Sequence, residues 1–353
     1  MDCGRADHLR LAVTSYYLPS ESKIGAGWMS HRLANALADR GHEVTMFSPS
    51  SRPGDARYEH RHVPITGSAR TFRWGWVMRN LDLGGFDGLL AQGDDHFVRR
   101  GAVPAHVRTL HGSCFDEAVH IRGAVNRARM LALGATELVA AVRTPEVVGV
   151  SKASLRFFPW RHTVVPNGVD IELFAPDPLV PKEPTPTVLF VGTDGNRKRG
   201  WLLRKVFEQH VLPRLPEARL WMVCEDAPAS PGVEVLGRLS DAELADRYRR
   251  AWVFCLPSTY EGFGVPYIEA LVSGTAVIAT PNRGAREVLG GGVGVVVDES
   301  RLGPELARLL TDGAYRRSYE QAGLAQRSTY DIGVIADTYC RLISAQLART
   351  TTD

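Results

Sequence analysis

Two doubly wound α/β domains are what this 353-residue sequence predicts, on three observations. Short apolar runs alternate with segments of helical periodicity along the chain, the pattern of parallel sheets covered by helices. A proline-rich stretch at 175–186 divides that alternation into two halves and has the composition of a linker. The length suits two domains, and 44% apolar with 23% charged residues are globular proportions.

In the first half, residues 9–15 read as a buried strand and 16–26 as a loop. Residues 28–40 read as a helix, with Leu33, Ala34, Leu37 and Ala38 on one face and Gly41 as its stop. With a strand at 43–47 this makes a βαβ unit whose first loop faces a ligand. The loop is no dinucleotide fingerprint, because Gly25-Ala26-Gly27-Trp28-Met29-Ser30 lacks the third glycine. Residues 70–76 mix arginines and aromatics and read either as a substrate-facing loop or as a helix cap with packed tryptophan. Strands follow at 88–91 and 107–110, the second ending in His111-Gly112, then a helix at 116–133 and a strand at 147–150.

In the second half, strands are expected at 188–192, 219–224, 253–256 and 293–297, with helices at 200–215 and 241–250. Ser240 and Glu243 form a capping box for the latter. The tail from 304 to 347 is helical with a break near 328–331. The domains are therefore drawn at 1–170 and 171–330, with a last helix at about 331–349 packing back on the first. Parallel sheets bind ligands beyond the carboxyl ends of their strands, so two such domains are expected to face each other across a cleft.

A net charge of +3 is too small to argue for nucleic acid. Residues 1–170 carry 21 Lys and Arg against 16 Asp and Glu, which leaves peripheral contact with an acidic membrane surface open. No basic amphipathic helix is evident, which favours a small soluble acceptor molecule. The five cysteines are scattered without metal spacing, and Cys224 and Cys255 lie in apolar strands as core residues. A reducing compartment is expected, and with no signal-like or membrane-length apolar run, a cytoplasmic one.

The chemistry concentrates at 256–280, LPSTYEGFGVPYIEALVSGTAVIAT. Glu261 precedes the Gly262-Phe263-Gly264 turn, and Val265-Pro266 opens a helix that carries Glu269 about one turn in. The free N–H groups of that first turn make an anion site. A carboxylate on each side of it can accept from paired hydroxyls, as a ribose or a hexose presents.

This E-x7-E stretch resembles the signature of the family 4 glycosyltransferases, retaining enzymes of the GT-B fold with two Rossmann-like domains. Gly25-Ala26-Gly27 with the helix after it, Pro166-Asn167-Gly168-Val169-Asp170, the run from Gly237 to Leu244 and Leu256-Pro257-Ser258 resemble other segments of that family in the same order. Residues 50–145 resemble nothing specific. The resemblance implies a UDP- or GDP-linked sugar donor as substrate, a hydroxyl acceptor, no cofactor and no metal. Arg197 and Lys198 would clamp the pyrophosphate, with Arg199 a spare for an uncertain loop register, and Thr193 stands where many members carry arginine. Glu261 would bind donor-sugar hydroxyls with the N–H groups of Gly262, Phe263 and Gly264, Val265 would meet the phosphates, and Glu269 would take the ribose. Gly237 and Arg238 would hold the base, Gly27 would let the first loop approach the phosphate, and His111 would touch the donor sugar. Both carboxylates are then binding groups, because the leaving phosphate takes the acceptor's proton. Asp94-Asp95 reads as loop surface.

Two rival readings share the architecture: a sugar-nucleotide epimerase and a non-catalytic sugar-nucleotide-binding partner of another transferase. The acceptor's identity, the sugar, the nucleotide and the oligomeric state are not written in these motifs.

Overall fold

Apolar strands bury both faces, so each half of the chain builds a sheet in which every neighbouring pair runs parallel. A computed structural model describes residues 8–19, 25–67, 70–93, 95–121 and 123–350. Cys3, Asp94 and the middle of the first loop at 20–24 lie outside them. The chain divides into two compact units, Met1–Gly168 with Ile332–Asp353, and Val169–Asp331.

The first unit runs β1 (Arg10–Thr14), α1 (Gly25–Asp39), β2 (Glu43–Ser48), β3 (Glu59–His62), α2 (Arg70–Met78), β4 (Gly88–Ala91), β5 (Ala105–Leu110), α3 (Cys114–His120), α4 (Ala124–Arg143) and β6 (Glu146–Gly149). Its strand order is β3-β2-β1-β4-β5-β6. This is the doubly wound order whose direction reverses between the first and fourth strands.

The second unit runs β7 (Thr187–Val191), α5 (Gly200–Val206), one π turn (Phe207–Val211), β8 (Arg219–Val223), β9 (Val233–Val235), α6 (Asp241–Arg250), β10 (Val253–Leu256), α7 (Val265–Val272), β11 (Ala276–Ala279), α8 (Arg283–Val288), β12 (Val295–Val296), α9 (Glu299–Thr311) and α10 (Gly313–Leu324). Its order, β12-β11-β10-β7-β8-β9, repeats the same winding. The final helix, α11 (Ile332–Thr350), belongs to the first unit. There Ile335, Tyr339 and Ile343 join Leu11, Val13, Leu33 and Leu37 in one buried cluster, and the Gln346 side chain accepts from the His106 N–H at 3.0 Å.

Several expectations are corrected. The glycine-containing segment at 25–27 is helical, and Gly27 packs α1 onto the Tyr17 carbonyl, which a Cβ would meet at 2.7 Å. The arginine–aromatic stretch at 70–76 is α2 with Trp74 fully buried, the packed-tryptophan reading. The single helix expected at 116–133 is two, α3 and α4, and α4 continues ten residues further. Gly134 does not stop α4; its bare Cα admits the Phe115 ring, which a Cβ would meet at 2.8 Å. The proline-rich stretch lies inside the second unit. There the Lys182 ammonium donates to the carbonyls of Ala251 (2.7 Å) and Gly274 (3.0 Å) and to Thr275 Oγ1 (2.8 Å), and burial lowers its pKa to about 8. The helical tail also breaks at Asp312, whose side chain caps α10 by accepting from the Tyr315 N–H at 2.9 Å.

Asp95 is not loop surface. Its side chain is fully buried between the Arg108 guanidinium and His106 Nε2, the latter at 2.8 Å. Burial would raise its pKa, but Arg108 and then His106 outweigh burial and hold the carboxyl far below the usual range.

Candidate active site

Two loops at the carboxyl edge of the second sheet build this site. One follows β7 and carries Arg197, Lys198 and Arg199; the other follows β10 and carries Glu261 to Gly264. β7 and β10 are hydrogen-bonded neighbours, and the winding reverses between them. The loops therefore flank the topological switch point, where open α/β sheets receive ligands.

The loops are bonded to each other. The Thr259 N–H donates to the Arg197 carbonyl at 2.9 Å, and the Ser258 hydroxyl is 3.0 Å from the carbonyls of both Arg197 and Tyr260. Thr280 Oγ1 and Asn282 Nδ2 donate to the Ser258 carbonyl at 2.9 and 3.1 Å. Asn282 also caps α8 by accepting from the Ala285 N–H at 2.9 Å. In α8 the Gly284 N–H donates to the Glu261 carbonyl at 3.2 Å. A Cβ on Gly284 would meet the Phe263 carbonyl at 2.7 Å and Glu261 Cβ at 2.9 Å, so the bare glycine lets α8 support the turn.

Within this frame Glu261 Oε1 lies 2.8 Å from Lys198 Nζ and accepts from Arg197 Nη1 at 2.9 Å. Arg197 Nη1 also donates to the Tyr260 carbonyl at 2.8 Å. Burial would push the Glu261 pKa up, but the Lys198 and Arg197 charges outweigh it and hold the carboxylate below its ordinary value. Burial lowers the Lys198 pKa, and Glu261 offsets part of that. The group is a carboxylate with two cations, one enclosed and one half exposed, and carries one net positive charge. Asn196 (φ 51°) and Arg199 (φ 53°), the positive-φ non-glycine residues among those described, bracket the two cations. Strain of that kind persists only where surrounding bonds over-determine the backbone.

Arg199 has a different task from its neighbours. Its guanidinium donates to the Pro257 carbonyl at 2.7 Å, to Glu299 Oε2 at 2.8 Å and to Thr280 Oγ1 at 3.2 Å. The spare cation of the sequence reading is thus a brace between the loops.

The turn delivers α7 as its residues require. Gly264 takes φ 93°, and a Cβ there would meet the Tyr267 ring at 2.4 Å, so only glycine fits. Pro266 sits in the first helical turn. Glu269 is buried on α7, with the Tyr248 hydroxyl of α6 donating to it at 3.3 Å. Phe263 is buried edge-on against Tyr330, ring centroids 6.3 Å apart. Gly237 (φ 66°) and the exposed Arg238 lie in the turn between β9 and α6.

The remaining two candidates belong to the first unit. Gly27 is in α1, as described. His111 follows β5, with Nε2 2.8 Å from Oε1 of Gln92, which follows β4. Burial alone lowers the His111 pKa to about 4, so the ring is neutral at pH 7. Nδ1 of His111 and Nε2 of Gln92 are buried without a partner among the described residues. The sequence reading gave no role to Gln92, Ser258, Thr280, Asn282 and Gly284, although Ser258 and Thr280 lie in the stretch it singled out. Only Asn282, a cap residue just ahead of a short helix, had a local signal. Among the described residues no group of three or more His, Cys, Asp or Glu is placed to hold a metal ion.

Both halves of the chain resemble known glycosyltransferases. The model of the family "Glycosyl transferases group 1" matches residues 176–326, and that of "Glycosyltransferase Family 4" matches residues 24–173. Relatives include the phosphatidyl-myo-inositol mannosyltransferase of Mycobacterium tuberculosis, 27% identical over 92% of this chain and 94% of that protein. A further one is the GDP-mannose-dependent monoacylated alpha-(1-6)-phosphatidylinositol monomannoside mannosyltransferase of Corynebacterium glutamicum, 29% identical over 46% of this chain and 50% of that protein. Similar solved structures include sucrose-phosphate synthase from Thermosynechococcus elongatus, with TM-score 0.76, 21% identity, and coverage of 97% of this chain and 100% of that one. Another is HepE from Anabaena in complex with UDP-glucose, with TM-score 0.71, 16% identity, and coverage of 96% and 100%. The fold is GT-B, and the chain belongs to the group 1 glycosyltransferases of family 4.

Proposed function

We propose that this glycosyltransferase is a retaining hexosyltransferase that moves a mannosyl group from GDP-mannose to a hydroxyl acceptor. The observation that carries the reading is the cluster of Arg197, Lys198 and Glu261 at the switch point of the second sheet. A departing nucleoside diphosphate gains negative charge, which two cations and the N–H groups at the start of α7 would stabilise. Glu261 and Glu269 would accept hydroxyls of the sugar and of the ribose. Glu261 faces two cations and is a weak base, so a diphosphate oxygen takes the acceptor's proton. The bond from the anomeric carbon to that diphosphate breaks, and the bond to the acceptor oxygen forms on the same face. Mannose and GDP are favoured by the names of the two relatives, both of which are mannosyltransferases and one of which is GDP-mannose-dependent.

The test is to supply GDP-mannose and UDP-glucose in turn with hydroxyl acceptors, including a myo-inositol phospholipid. Nucleotide release and the anomeric configuration of the product by NMR are the readouts. GDP release that depends on acceptor, with an α-linked product, is the expected result. A β-linked product would overturn retention, and no nucleotide release from any donor would overturn transfer.

A further inference from the structure

Thirteen large apolar side chains are exposed among the described residues, and seven of them fall between positions 119 and 164. Four lie on α4: Val125 (84% exposed), Leu131 (47%), Val139 (54%) and Val142 (68%). With the exposed alanines, Val125, Ala128, Ala132, Ala135, Val139 and Val142 are spaced alternately by three and four residues, which sets them in one stripe along the helix. Met130, Leu133, Ala140 and Ala141 face the interior, so α4 is apolar on two sides and only one is covered. At 1.5 Å per residue the outer stripe is about 25 Å long.

The exposed charges of α4 beside the stripe have one sign. Arg127 lies on one flank and Arg129 and Arg143 on the other, all exposed, while the only carboxylate of α4, Glu137, is buried. The segment after β6 adds exposed Lys152 and Trp160, while Arg156 there is paired with Asp116 at 3.3 Å. Trp160 is next to Arg161, whose guanidinium bonds the carbonyls of Ala141 and Thr144 at the end of α4. An apolar stripe with a cation row on each flank and an aromatic at its end suits the boundary between lipid headgroups and acyl chains. The same pattern disfavours a second copy, because paired α4 helices would bring like charges together with no exposed carboxylate on the helix to answer them. It also disfavours nucleic acid, which would leave the apolar stripe in water.

We propose that the outer face of α4 docks this protein on an anionic lipid surface. The valines and Leu131 enter the headgroup boundary, and the flanking arginines meet the lipid phosphates. The inference is independent of which sugar is transferred.

The experiment is co-sedimentation of the whole chain with vesicles of phosphatidylcholine alone and of phosphatidylcholine with phosphatidylglycerol, at low and high salt. The expected result is partition onto the anionic vesicles that weakens with salt. The double variant Val139→Asp/Val142→Asp and the double variant Arg127→Glu/Arg129→Glu should each lower it by about tenfold or more. Val334→Asp, on α11 at the opposite face of the same sheet, should leave it unchanged. Melting temperatures of all variants check that they fold; the changed residues are exposed in each case. Wild-type binding by the valine variant would overturn the proposal, as would failure of the wild-type chain to bind anionic vesicles. A dimer in solution that Val139→Asp/Val142→Asp converts to monomer, without vesicle binding, would overturn it in favour of a second copy.

Discussion

Lys198 Nζ and Glu261 Oε1 are 2.8 Å apart, although the residues lie on loops after different strands and 63 positions apart in sequence. The contact exists because β7 and β10 are neighbours and because Ser258 and Thr259 both bond the Arg197 carbonyl, fixing the loops in one register. Lys198 and Arg197 favour the Glu261 carboxylate against its burial, and Glu261 offsets part of the lowering that burial imposes on Lys198. Donor chemistry and local stability therefore depend on the same side chains.

Replacing Glu261 with Gln should cost both. Arg197 and Lys198 would face each other without a counter-charge, and breaking an enclosed pair from one side costs about 3 kcal/mol. Chemical denaturation should report that loss, and glycosyl transfer should fall by about a hundredfold or more. The double variant Lys198→Met/Glu261→Leu should regain much of the stability and none of the activity. Equal instability of single and double variants would mean that the ion pair is not the stabilising element.

Arg197 and Arg199 should separate by their effects. Arg199→Ala removes three bonds that brace the two loops and keeps a left-handed backbone that favours glycine, so it should lower stability. Arg199→Gly removes the same bonds but relieves the backbone, and should be more stable than Arg199→Ala by about 1 kcal/mol. Arg197→Ala should leave the unfolding midpoint nearly unchanged and weaken nucleotide binding. A calorimetric titration with GDP beside thermal melts checks all three, and unchanged GDP affinity in Arg197→Ala would remove Arg197 from the donor site.

The difference between these arginines could not be read from Arg197-Lys198-Arg199 as a string. Arg199 has a left-handed backbone, and its guanidinium finds its partners on other elements, at Pro257 and Glu299. The turn at Glu261 and the start of α7 were legible because Gly264 and Pro266 are local signals, as was the Ser240–Glu243 capping box. The edge strands β3 and β9 were not legible: Glu59-His60-Arg61-His62 and Val233-Glu234-Val235 are largely exposed and carry no buried pattern. Asp95 was misread because the groups that pair with it, Arg108 and His106, sit on a strand thirteen and eleven residues further along the chain.

Gly284→Ala tests how closely α8 must support the Glu261 turn. The added methyl meets backbone at Phe263 and the Cβ of Glu261, neither of which is a free side-chain end. The turn or the helix must shift, and overpacking of this kind costs about 1–3 kcal/mol. Nucleotide release should slow even where the protein remains folded. Gly290→Ala, where a Cβ would meet nothing within 4 Å, is the control and should behave as wild type.

His111 gives the pH test. Its folded pKa of about 4 lies below the ordinary 6.5, and burial is the cause. Protonation therefore favours the unfolded chain: the stability tied to the neutral ring is complete above pH 6.5 and is lost as pH falls toward 4. The full difference is about 3 kcal/mol. The free energy of unfolding of wild type minus that of His111→Gln should thus decline across this window and be flat above it. In the same protein, nitrogen NMR of the imidazole should find the proton on Nε2, where Gln92 Oε1 accepts it. Gln92→Glu should raise the His111 pKa, because a carboxylate in that place favours the imidazolium. A flat stability difference down to pH 4 would mean that His111 titrates as an exposed histidine does. A proton found on Nδ1 would mean that Gln92 presents its amide nitrogen to the ring instead.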